Sequence, residues 1–509
     1  MTQTVDRSAP PQINLGFRST LRNRYFQRLW MAQLISQTVQ NAINYGSIVL
    51  LTQQSHSFTA VGGVIIAFSL PAVIFGVPAG VLVDRLDKRT LLWVSNGLRA
   101  LASFGFVVAL LIDNSNSVPI YILTFLISII GQFFAPAEGA SIPLLVKKGE
   151  LVSALSLFNI TFSISQALGF VIVGPLIVLF AQTVTLHFGT QTMIITNIDW
   201  LFLFIGVMYL ISTALTWFIP GEMLIGNANP SKVPTQRRMA MVWHGVAEAW
   251  DFVRRHPKLL IAAIQLTLGS LVITVIAMIA PLFSVQYLHR SSALAAIVFV
   301  PAGLGLVLGS ALMPRIISRI GMRRAEQAGV LGVGGSIVVI IAAHWLARQM
   351  APANNAWANL PLYLIVVVLA IFYIGLSLDL ITLPAQTSMQ ERSPDWLKGR
   401  VLALQMMLSN GGAIPIILIV GPAADFLGLS RALLLMAIAV VAGGLGCLQW
   451  AKRVVEENEG SIQATNEDIA FKGAHSNPLP HALTGEEGYS AHRPLPSQPN
   501  DTVRRRPTR

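Results

Sequence analysis

Residues 76–89 read Gly76-Val-Pro-Ala-Gly80-Val-Leu-Val-Asp84-Arg85-Leu-Asp87-Lys88-Arg89. This segment joins two long apolar runs through a short turn in which an acid is followed by cations. Gly76 and Gly80 lie four residues apart, a spacing that lets a neighbouring helix approach closely. Asp84 stands where the first helix leaves the membrane, so its carboxylate can face the positive N-terminal end of another helix. The segment therefore predicts a polytopic helical membrane protein.

Composition supports this prediction along the whole chain. The protein has 509 residues, of which 54% are hydrophobic and 11% are charged, whereas soluble proteins carry about 25% charged residues. Apolar runs of about 20 residues, enough to cross roughly 30 Å of hydrocarbon, recur from end to end. This pattern excludes a soluble multidomain enzyme. The single cysteine excludes a disulfide framework and a zinc-type cluster.

Twelve apolar runs are predicted to span the membrane. We place them at 27–52, 62–83, 91–112, 119–143, 153–180, 199–219, 259–283, 294–317, 325–347, 361–388, 401–426 and 431–450. Two proline spacings suggest that six helices are repeated: 39 positions separate Pro136 from Pro175, and 38 separate Pro384 from Pro422. The competing explanation is that Pro and Gly are common in membrane helices.

Basic residues predict the orientation. Most Lys and Arg residues lie on the connections that share a side with the two termini, while the opposite loops hold only Arg290, Arg348 and Arg431. Because cytoplasmic loops carry the excess of cations, both termini are predicted to be cytoplasmic in a cell membrane. The net charge of +12 then reflects loop residues, and no nucleic-acid partner is expected.

Five regions follow from these patterns. We predict a cytoplasmic tail at 1–24, a six-helix bundle at 25–220, a linker with an amphipathic interfacial helix at 221–258, a second six-helix bundle at 259–451 and a disordered cytoplasmic tail at 452–509.

The segment around Asp84 resembles the signature loop between helices two and three of major facilitator transporters. Asp87 stands where that family usually has glycine, a departure that makes the turn less favourable. Two further segments are similar to the bacterial multidrug, macrolide and siderophore exporter branch. They read Phe26-Gln-Arg-Leu-Trp30-Met-Ala-Gln-Leu-Ile-Ser36 and Pro136-Ala-Glu-Gly-Ala-Ser-Ile-Pro143. Gly399-Arg400-Val401 also looks like that branch.

The resemblance covers about residues 20–450 and implies an all-α fold of two pseudo-symmetric six-helix bundles. It further implies alternating access around a midplane site, with proton-driven export of small amphipathic compounds. A gating role falls on Gly76, Gly80, Asp84, Arg85, Lys88 and Arg89. Asp84 is expected to face the start of the eleventh span, near 399–401.

Polar side chains inside the spans mark a candidate substrate cavity, because polar groups exposed to lipid are costly. The first span carries an amide stripe at spacings of three and four. The stripe lines a cavity or bonds neighbouring helices together, and both interpretations stay open. The candidate cavity residues are Gln33, Gln37, Gln40, Asn41, Asn44, Asn159, Ser163, Gln166, Gln265, Gln405 and Asn410.

Two acids are candidates for proton coupling. Asp379 comes first, because its neighbours in the sequence are apolar and supply no cation. It also suits a counter-charge for a cationic substrate, or a structural acid bonded to Tyr373, Ser377 or a neighbouring helix. Glu138 comes second, and it either partners the basic turn around Arg85 and Lys88 or contacts substrate. Arg99 is expected to pair or to extend toward the interface.

We find no Gly-x-Ser-x-Gly, His-Glu-x-x-His or Walker sequence, so we expect neither an enzyme nor ATP-driven transport, and no cofactor or metal. The expected partners are a small-molecule substrate, protons and membrane lipid, with the protein acting as a monomer. A lysolipid or lipid mover is the alternative within transport. A transport-inactive sensor or scaffold and an intramembrane enzyme are further alternatives.

The predicted orientation can be tested by labelling. A cysteine placed in the turn at 84–89 should react with a membrane-impermeant maleimide only after cells are opened, because the turn faces the cytoplasm. The matched control is a cysteine in the opposite loop at 113–117, which should react in intact cells. The reverse labelling pattern would contradict the orientation.

Overall fold

The computed structural model describes residues 17–83, 86–179, 184–188, 191–224, 235–290, 296–350, 360–394 and 397–450. Most of these residues are helical. The helices are α1 (Phe17–Leu21), α2 (Arg24–Ser55), α3 (Phe58–Val83), α4 (Lys88–Ile112), α5 (Val118–Leu145), α6 (Leu151–Leu179), α7 (Asn197–Trp217), α8 (Thr235–Arg255), α9 (Pro257–Gln286), α10 (Ala296–Ile320), α11 (Met322–Met350), α12 (Pro361–Arg392), α13 (Lys398–Leu427) and α14 (Leu429–Trp450).

One short hairpin departs from the helical pattern. Strands β1 (Val184–Phe188) and β2 (Gln191–Ile195) pair antiparallel in the connection between α6 and α7, with Val184 opposite Ile195. Short 3₁₀ turns lie at Lys148–Glu150 and Gly221–Leu224. The predicted disordered tail at 452–509 and most of the tail at 1–24 lie outside the described residues.

Nine helices in the described ranges are long and apolar enough to cross a membrane: α3, α4, α5, α7, α9, α11, α12, α13 and α14. Three further helices, α2, α6 and α10, lie at the first, fifth and eighth predicted spans. The prediction of an all-helical membrane fold is confirmed, whereas the count of twelve spans stays a prediction.

Hydrogen bonds between connections define two ends of the helical body. At one end the Gln54 amide donates to Asn114 O at 2.6 Å, and Tyr363 Oη donates to Tyr287 O at 2.8 Å. We call this end the hairpin side, because the β-hairpin at 184–195 follows α6 there. At the other end, which we call the linker side, the Asn23 amide donates to Leu145 O at 2.6 Å.

Most helix packing stays within each half of the chain. In the first half α4 packs on α5 and α7, α3 packs on α5, and α2 packs on α6 and α7. In the second half α12 packs on α9, α10 and α11. The largest contact between the halves joins α3 to α13. Residues 1–453 group as one compact unit, so the division into bundles at 25–220 and 259–451 stays a prediction.

The linker helix α8 belongs to the packing of the second half on the linker side. Its face formed by Val246, Ala249 and Val253 is buried against apolar residues of α9, α12 and α13. Glu248, on the opposite face, forms an ion pair with Arg400 near the start of α13. α8 thus links the connection between the halves to the first turn of α13.

Glycines bring α10 and α12 into backbone contact. A Cβ at Gly305 would overlap Phe372 O, and a Cβ at Gly375 would overlap Ala302 O. Inside lipid the hydrophobic effect does not drive helices together, so their association depends on van der Waals packing at close contacts of this kind. In contrast, nothing lies within 4 Å of the Cβ position at Gly303 on the same helix.

We expect Gly305→Ala to destabilise the protein by about 1–3 kcal/mol or more, because the new methyl group overlaps backbone that cannot move aside. Gly303→Ala is the matched control, and it should be neutral or slightly stabilising, since alanine has the higher helix propensity. Thermal unfolding in detergent measures both. Equal stability of the two variants would contradict the close α10–α12 contact.

Candidate functional site

Arg99 lies deep within a membrane-spanning helix. It follows the first residue of α4 by eleven positions, which places it about 16 Å along the helix. Its side chain is only 3% exposed, so the guanidinium does not extend to the interface. A buried arginine inside a membrane requires polar partners, because isolated charge is costly there.

The partners of Arg99 come from several helices of the first half. Its Nη1 donates to Ser36 Oγ on α2 at 3.1 Å. The guanidinium carbon lies 4.9 Å from the Phe134 ring centroid and 5.7 Å from that of Tyr209, distances typical of cation–π contacts. Gly131 makes room for the group, because a Cβ there would lie 2.9 Å from Nη2.

Glu138 on α5 supplies the opposite charge. It is 1% exposed and lies within electrostatic range of the Arg99 guanidinium, although the two groups form no direct ion pair. The two groups are not fully satisfied: Glu138 Oε1 and Arg99 Nε have no hydrogen-bond partner among the described residues. The predicted partnership of Glu138 with the basic turn around Arg85 and Lys88 stays a prediction, since Arg85 lies outside the described residues.

Hydrogen bonds extend this pair toward the amide stripe of α2. Tyr209 Oη on α7 donates to Gln40 Oε1 at 3.2 Å, and Gln40 Nε2 donates to Asn44 Oδ1 at 3.2 Å. A second branch leads from Ser36 to two further side chains. Ser36 Oγ donates to Asn96 Oδ1 at 3.0 Å, and Asn96 Nδ2 donates to Ser212 Oγ at 2.9 Å. We call this set the Arg99 network: Ser36, Gln40, Asn44, Asn96, Arg99, Glu138, Tyr209 and Ser212.

Sequence reasoning missed four members of the network, Ser36, Asn96, Tyr209 and Ser212, and a local signal was available for the last three. Two signals could have found them: Asn96 and Arg99 are three residues apart, and so are Tyr209 and Ser212. A spacing of three places both members of each pair on one helix face. Polar pairs on facing helices inside a membrane are expected to bond to each other.

The remaining amides of α2 divide between two environments. Gln33 is fully buried, and its Nε2 donates to Phe158 O on α6 at 3.2 Å. Gln33 and Gln40 therefore bond neighbouring helices, the second of the two interpretations. Gln37, Asn41 and Asn44 are partly exposed, and the Asn41 amide donates to Gln37 O at 2.9 Å within α2. Their partial exposure keeps all three as candidates for the cavity lining, although the Asn41 Cβ also packs against α6 at Gly169.

The other predicted cavity residues differ in their exposure. Asn159 is exposed, Gln405 is half-buried, and the half-buried Asn410 bonds to Met406 O on its own helix. The side chains of Ser163 and Gln166 lie outside the described residues.

Gln265 belongs to a second buried pair that the sequence did not predict. Its Nε2 donates to Glu326 Oε2 on α11 at 3.3 Å. The pair lines a cavity of about 30 Å³ together with apolar side chains of α9, α11, α12 and α14. Glu326 follows two arginines at the start of α11. In the sequence alone, an acid next to two cations is easily taken for a loop residue, so it was missed. A cavity of this size holds about one water molecule.

Asp379 contacts a neighbouring helix. Its side chain is 7% exposed, and Ser310 Oγ on α10 donates to its Oδ2 at 3.0 Å. A Cβ at Gly309 would lie 2.9 Å from Asp379 Cβ, so the acid sits in the tight α10–α12 contact. This geometry matches the structural alternative in which Asp379 bonds a neighbouring helix.

The gating segment is described only in part, since Asp84 and Arg85 lie outside the described residues. Asp87 caps α4, where its Oδ2 accepts from Thr90 N at 2.9 Å and from Thr90 Oγ1 at 2.6 Å. Partial burial alone would raise the pKa of Asp87, but these bonds and the charge of Arg89 lower it. Asp87 therefore stabilises the start of α4 as a capping carboxylate, and the expectation that it makes the preceding turn less favourable stays a prediction.

The structure also places Arg89, the two glycines and Lys88 of the segment. Arg89 donates to Trp217 O at 2.9 Å and lies over the Trp217 ring, so it ties α4 to α7. No described atom lies within 4 Å of a Cβ at Gly80, and the nearest at Gly76 belongs to Gln132 at 3.8 Å. No described helix backbone therefore occupies the predicted groove in this conformation. Lys88 begins α4 and is half-buried.

Comparison with known proteins identifies the class to which this architecture belongs. The sequence profile of the Major Facilitator Superfamily matches residues 29–416. The chain belongs to the Major Facilitator Superfamily and is a multi-pass membrane transporter.

Individual relatives agree with the class. The chain is 22% identical over 456 residues to the uncharacterised MFS-type transporter YfiS of Bacillus subtilis (strain 168), covering 86% of this chain and 97% of the relative. Macrolide efflux protein A of Streptococcus pyogenes is 27% identical over 146 residues, but the match covers only 28% of this chain and 36% of that protein.

Solved structures share the fold at low sequence identity. The nucleoside transporter NupG has a TM-score of 0.60 at 11% identity, covering 84% of this chain and 98% of that chain. A bacterial homologue of the human lysosomal transporter Spinster, solved in an inward-facing and unoccupied conformation, has a TM-score of 0.56 at 14% identity, with coverages of 84% and 97%. These similarities show the fold alone.

A double-mutant cycle tests the buried pair. Arg99→Leu or Glu138→Leu alone should destabilise the folded protein by on the order of 3 kcal/mol, because each leaves an uncompensated charge in the membrane. The double variant should lose less than the sum, since both charges are gone. Chemical denaturation in mixed micelles measures all three. Additive losses would contradict the pairing.

Proposed function

We propose that this transporter is a secondary active exporter that uses the proton gradient to move small amphipathic compounds by alternating access. The two sequence halves, as bundles 25–220 and 259–451, rock around a central site lined partly by Gln37, Asn41 and Asn44 of α2. Amides offer donors and acceptors to many ligand shapes, which suits broad selection. The limited similarity to a macrolide efflux protein supports this substrate class.

The Arg99 network is the observation that carries the proposal. It holds a buried carboxylate whose Oε1 has no hydrogen-bond partner among the described residues, within electrostatic range of a buried cation that is itself bonded to α2. A proton on Glu138 removes the attraction between the two charges. Arg99, which already donates to Ser36, then shifts toward Tyr209.

That shift reaches the α2 stripe through a short chain of contacts. Tyr209 donates to Gln40, and Gln40 donates to Asn44. Asn44 is partly exposed, so it connects the buried charge pair to the surface of α2 where a ligand can bind. Protonation of Glu138 and occupancy of the site are thereby linked through side chains that move together, which is the requirement for coupling.

We rank Glu138 ahead of Asp379 as the coupling acid. Asp379 accepts a hydrogen bond from Ser310 within the glycine-lined α10–α12 contact, and no described contact leads from it to the predicted cavity. Glu138 has a partner of opposite charge and a route to α2. Asp379 remains the second candidate.

The cell membrane is the proposed location, with both termini and the linker side in the cytoplasm. The hairpin side then faces outward. The protein acts as a monomer on a small-molecule substrate, with protons as the coupling ion.

Transport in proteoliposomes tests the proposal. With a pH gradient imposed, the native protein should accumulate one or more amphipathic compounds, and the panel should include a macrolide, a cationic dye and a lysolipid. We expect Glu138→Gln to reduce gradient-driven accumulation by roughly 100-fold, as is typical when a required proton-transfer group is removed. Substrate binding, measured by fluorescence quenching, should persist.

Asp379→Asn is the matched control, because it also neutralises a buried membrane acid, and it should retain coupled accumulation. Loss of coupling in Asp379→Asn alone would transfer the role to that residue. If the native protein accumulates compounds to the same level with and without a pH gradient, the proposed coupling to protons is refuted. If only the lysolipid is moved, the alternative of a lipid mover is favoured.

A further inference from the structure

Asp425 connects the two halves of the chain at the hairpin side. It lies near the end of α13, and its carboxylate accepts four hydrogen bonds from the residues that begin α3. Oδ1 accepts from Phe58 N at 2.7 Å. Oδ2 accepts from Ser57 Oγ at 2.7 Å, from Thr59 N at 3.0 Å and from Thr59 Oγ1 at 2.6 Å.

This contact has the chemistry of a helix cap supplied by a distant helix. The first N–H groups of a helix lack partners within the helix and carry partial positive charge. Asp425 satisfies two of them from a position more than 360 residues away in the sequence. Hydrogen bonds to an ionised acceptor are roughly twice as strong as neutral ones.

The helix backbones are also closest beside this contact. A Cβ at Gly421 would lie 3.1 Å from Thr59 Cα, and a Cβ at Gly62 would lie 2.6 Å from Ile417 Cγ2. The approach loosens toward the linker side, where the nearest atom to a Cβ at Gly411 is Val73 Cγ2 at 4.0 Å. At Gly80, farther along α3, no described atom lies within 4 Å.

The described contacts between α3 and α13 are therefore close on the hairpin side and looser toward the linker side. The Asp425 carboxylate lies at the close end. A motion that separates the halves on the hairpin side must break these four bonds, whereas a motion that separates them on the linker side leaves them intact. The four bonds therefore oppose opening on the hairpin side and do not affect opening on the linker side.

We propose that Asp425 is a gating residue that holds the hairpin side closed through the N-terminus of α3. This inference rests on the proposed alternating access, and it adds a residue that sets the balance between the two conformations. Removing the carboxylate favours the conformation that is open on the hairpin side. Ser57 and Thr59 are its receiving partners.

Distance measurements by pulsed electron resonance test the proposal in lipid nanodiscs. One spin-label pair on the hairpin side joins Val118 and Arg431, which are exposed positions in the two halves. A second pair on the linker side joins Met223 and Arg392, also exposed. Both are placed in a Cys447→Ser background, since Cys447 is the single native cysteine.

We expect Asp425→Ala to raise the ratio of long to short hairpin-side distances by roughly tenfold, because several charge-assisted bonds are lost. The linker-side distances should shorten in parallel. The matched control is Asp113→Ala, which removes an acid from the same side whose carboxylate bonds only within its own loop, to Ser115. It should leave both distributions unchanged.

A second variant guards against misfolding of the first. Ser57→Ala with Thr59→Ala removes two of the four bonds without altering α13, and it should give a smaller shift in the same direction. Unchanged distances in folded Asp425→Ala would overturn the gating role even if export is normal. A shift would support it even if no proton-driven export is measured, so the two proposals fail separately.

Discussion

A guanidinium about 16 Å along α4 sets a constraint that much of the first half must meet. Arg99 cannot reach water, so α2, α5 and α7 must each bring a side chain to it: Ser36, Phe134 and Tyr209, with Glu138 within electrostatic range. These contacts restrict how the four helices can rotate against each other. The same cluster contains the buried charges of this half, including Glu138, the candidate for proton coupling. One group of side chains therefore serves both the helix packing and the proposed function.

The second half satisfies its constraints differently. Its tightest contact, between α10 and α12, is made by glycines that bring backbone against backbone, and its buried acids bond to single neutral partners, Ser310 and Gln265. Such packing favours rigidity, because a close-packed contact has few alternative arrangements. The first half thus holds buried groups whose charge can change, whereas the second half is rigidly packed. This difference suits a protein whose halves move relative to each other.

Between the halves, α3 and α13 form a contact of another kind. It combines a capping carboxylate, Asp425, with close glycines at one end, and it loosens toward the other. Contacts made through a few strong bonds at one edge can be broken and remade, unlike an interlocked apolar interface. In a membrane, where the hydrophobic effect does not hold helices together, a handful of such bonds is enough to change a two-state balance.

The sequence by itself determined the class. Apolar runs of sufficient length and the segment around Asp84 predict a polytopic helical membrane protein, since backbone groups in lipid must be bonded within helices. The polar stripe of α2 and the positions of Glu138, Arg99 and Asp379 were also evident. Periodicity shows that these residues share helix faces, but it does not reveal which helix each face meets.

Only the tertiary structure decided the partners. Arg99 contacts Ser36 and Tyr209 and lies within electrostatic range of Glu138, Asp87 caps α4, Glu326 pairs with Gln265, and Asp425 caps α3 from the other half. Each of these contacts joins residues whose separation in sequence carries no local signal, except for the cap at Asp87, where the family pattern concealed the local chemistry. Helix rotation and depth set such contacts, and both result from the packing of many side chains together, which no single segment encodes.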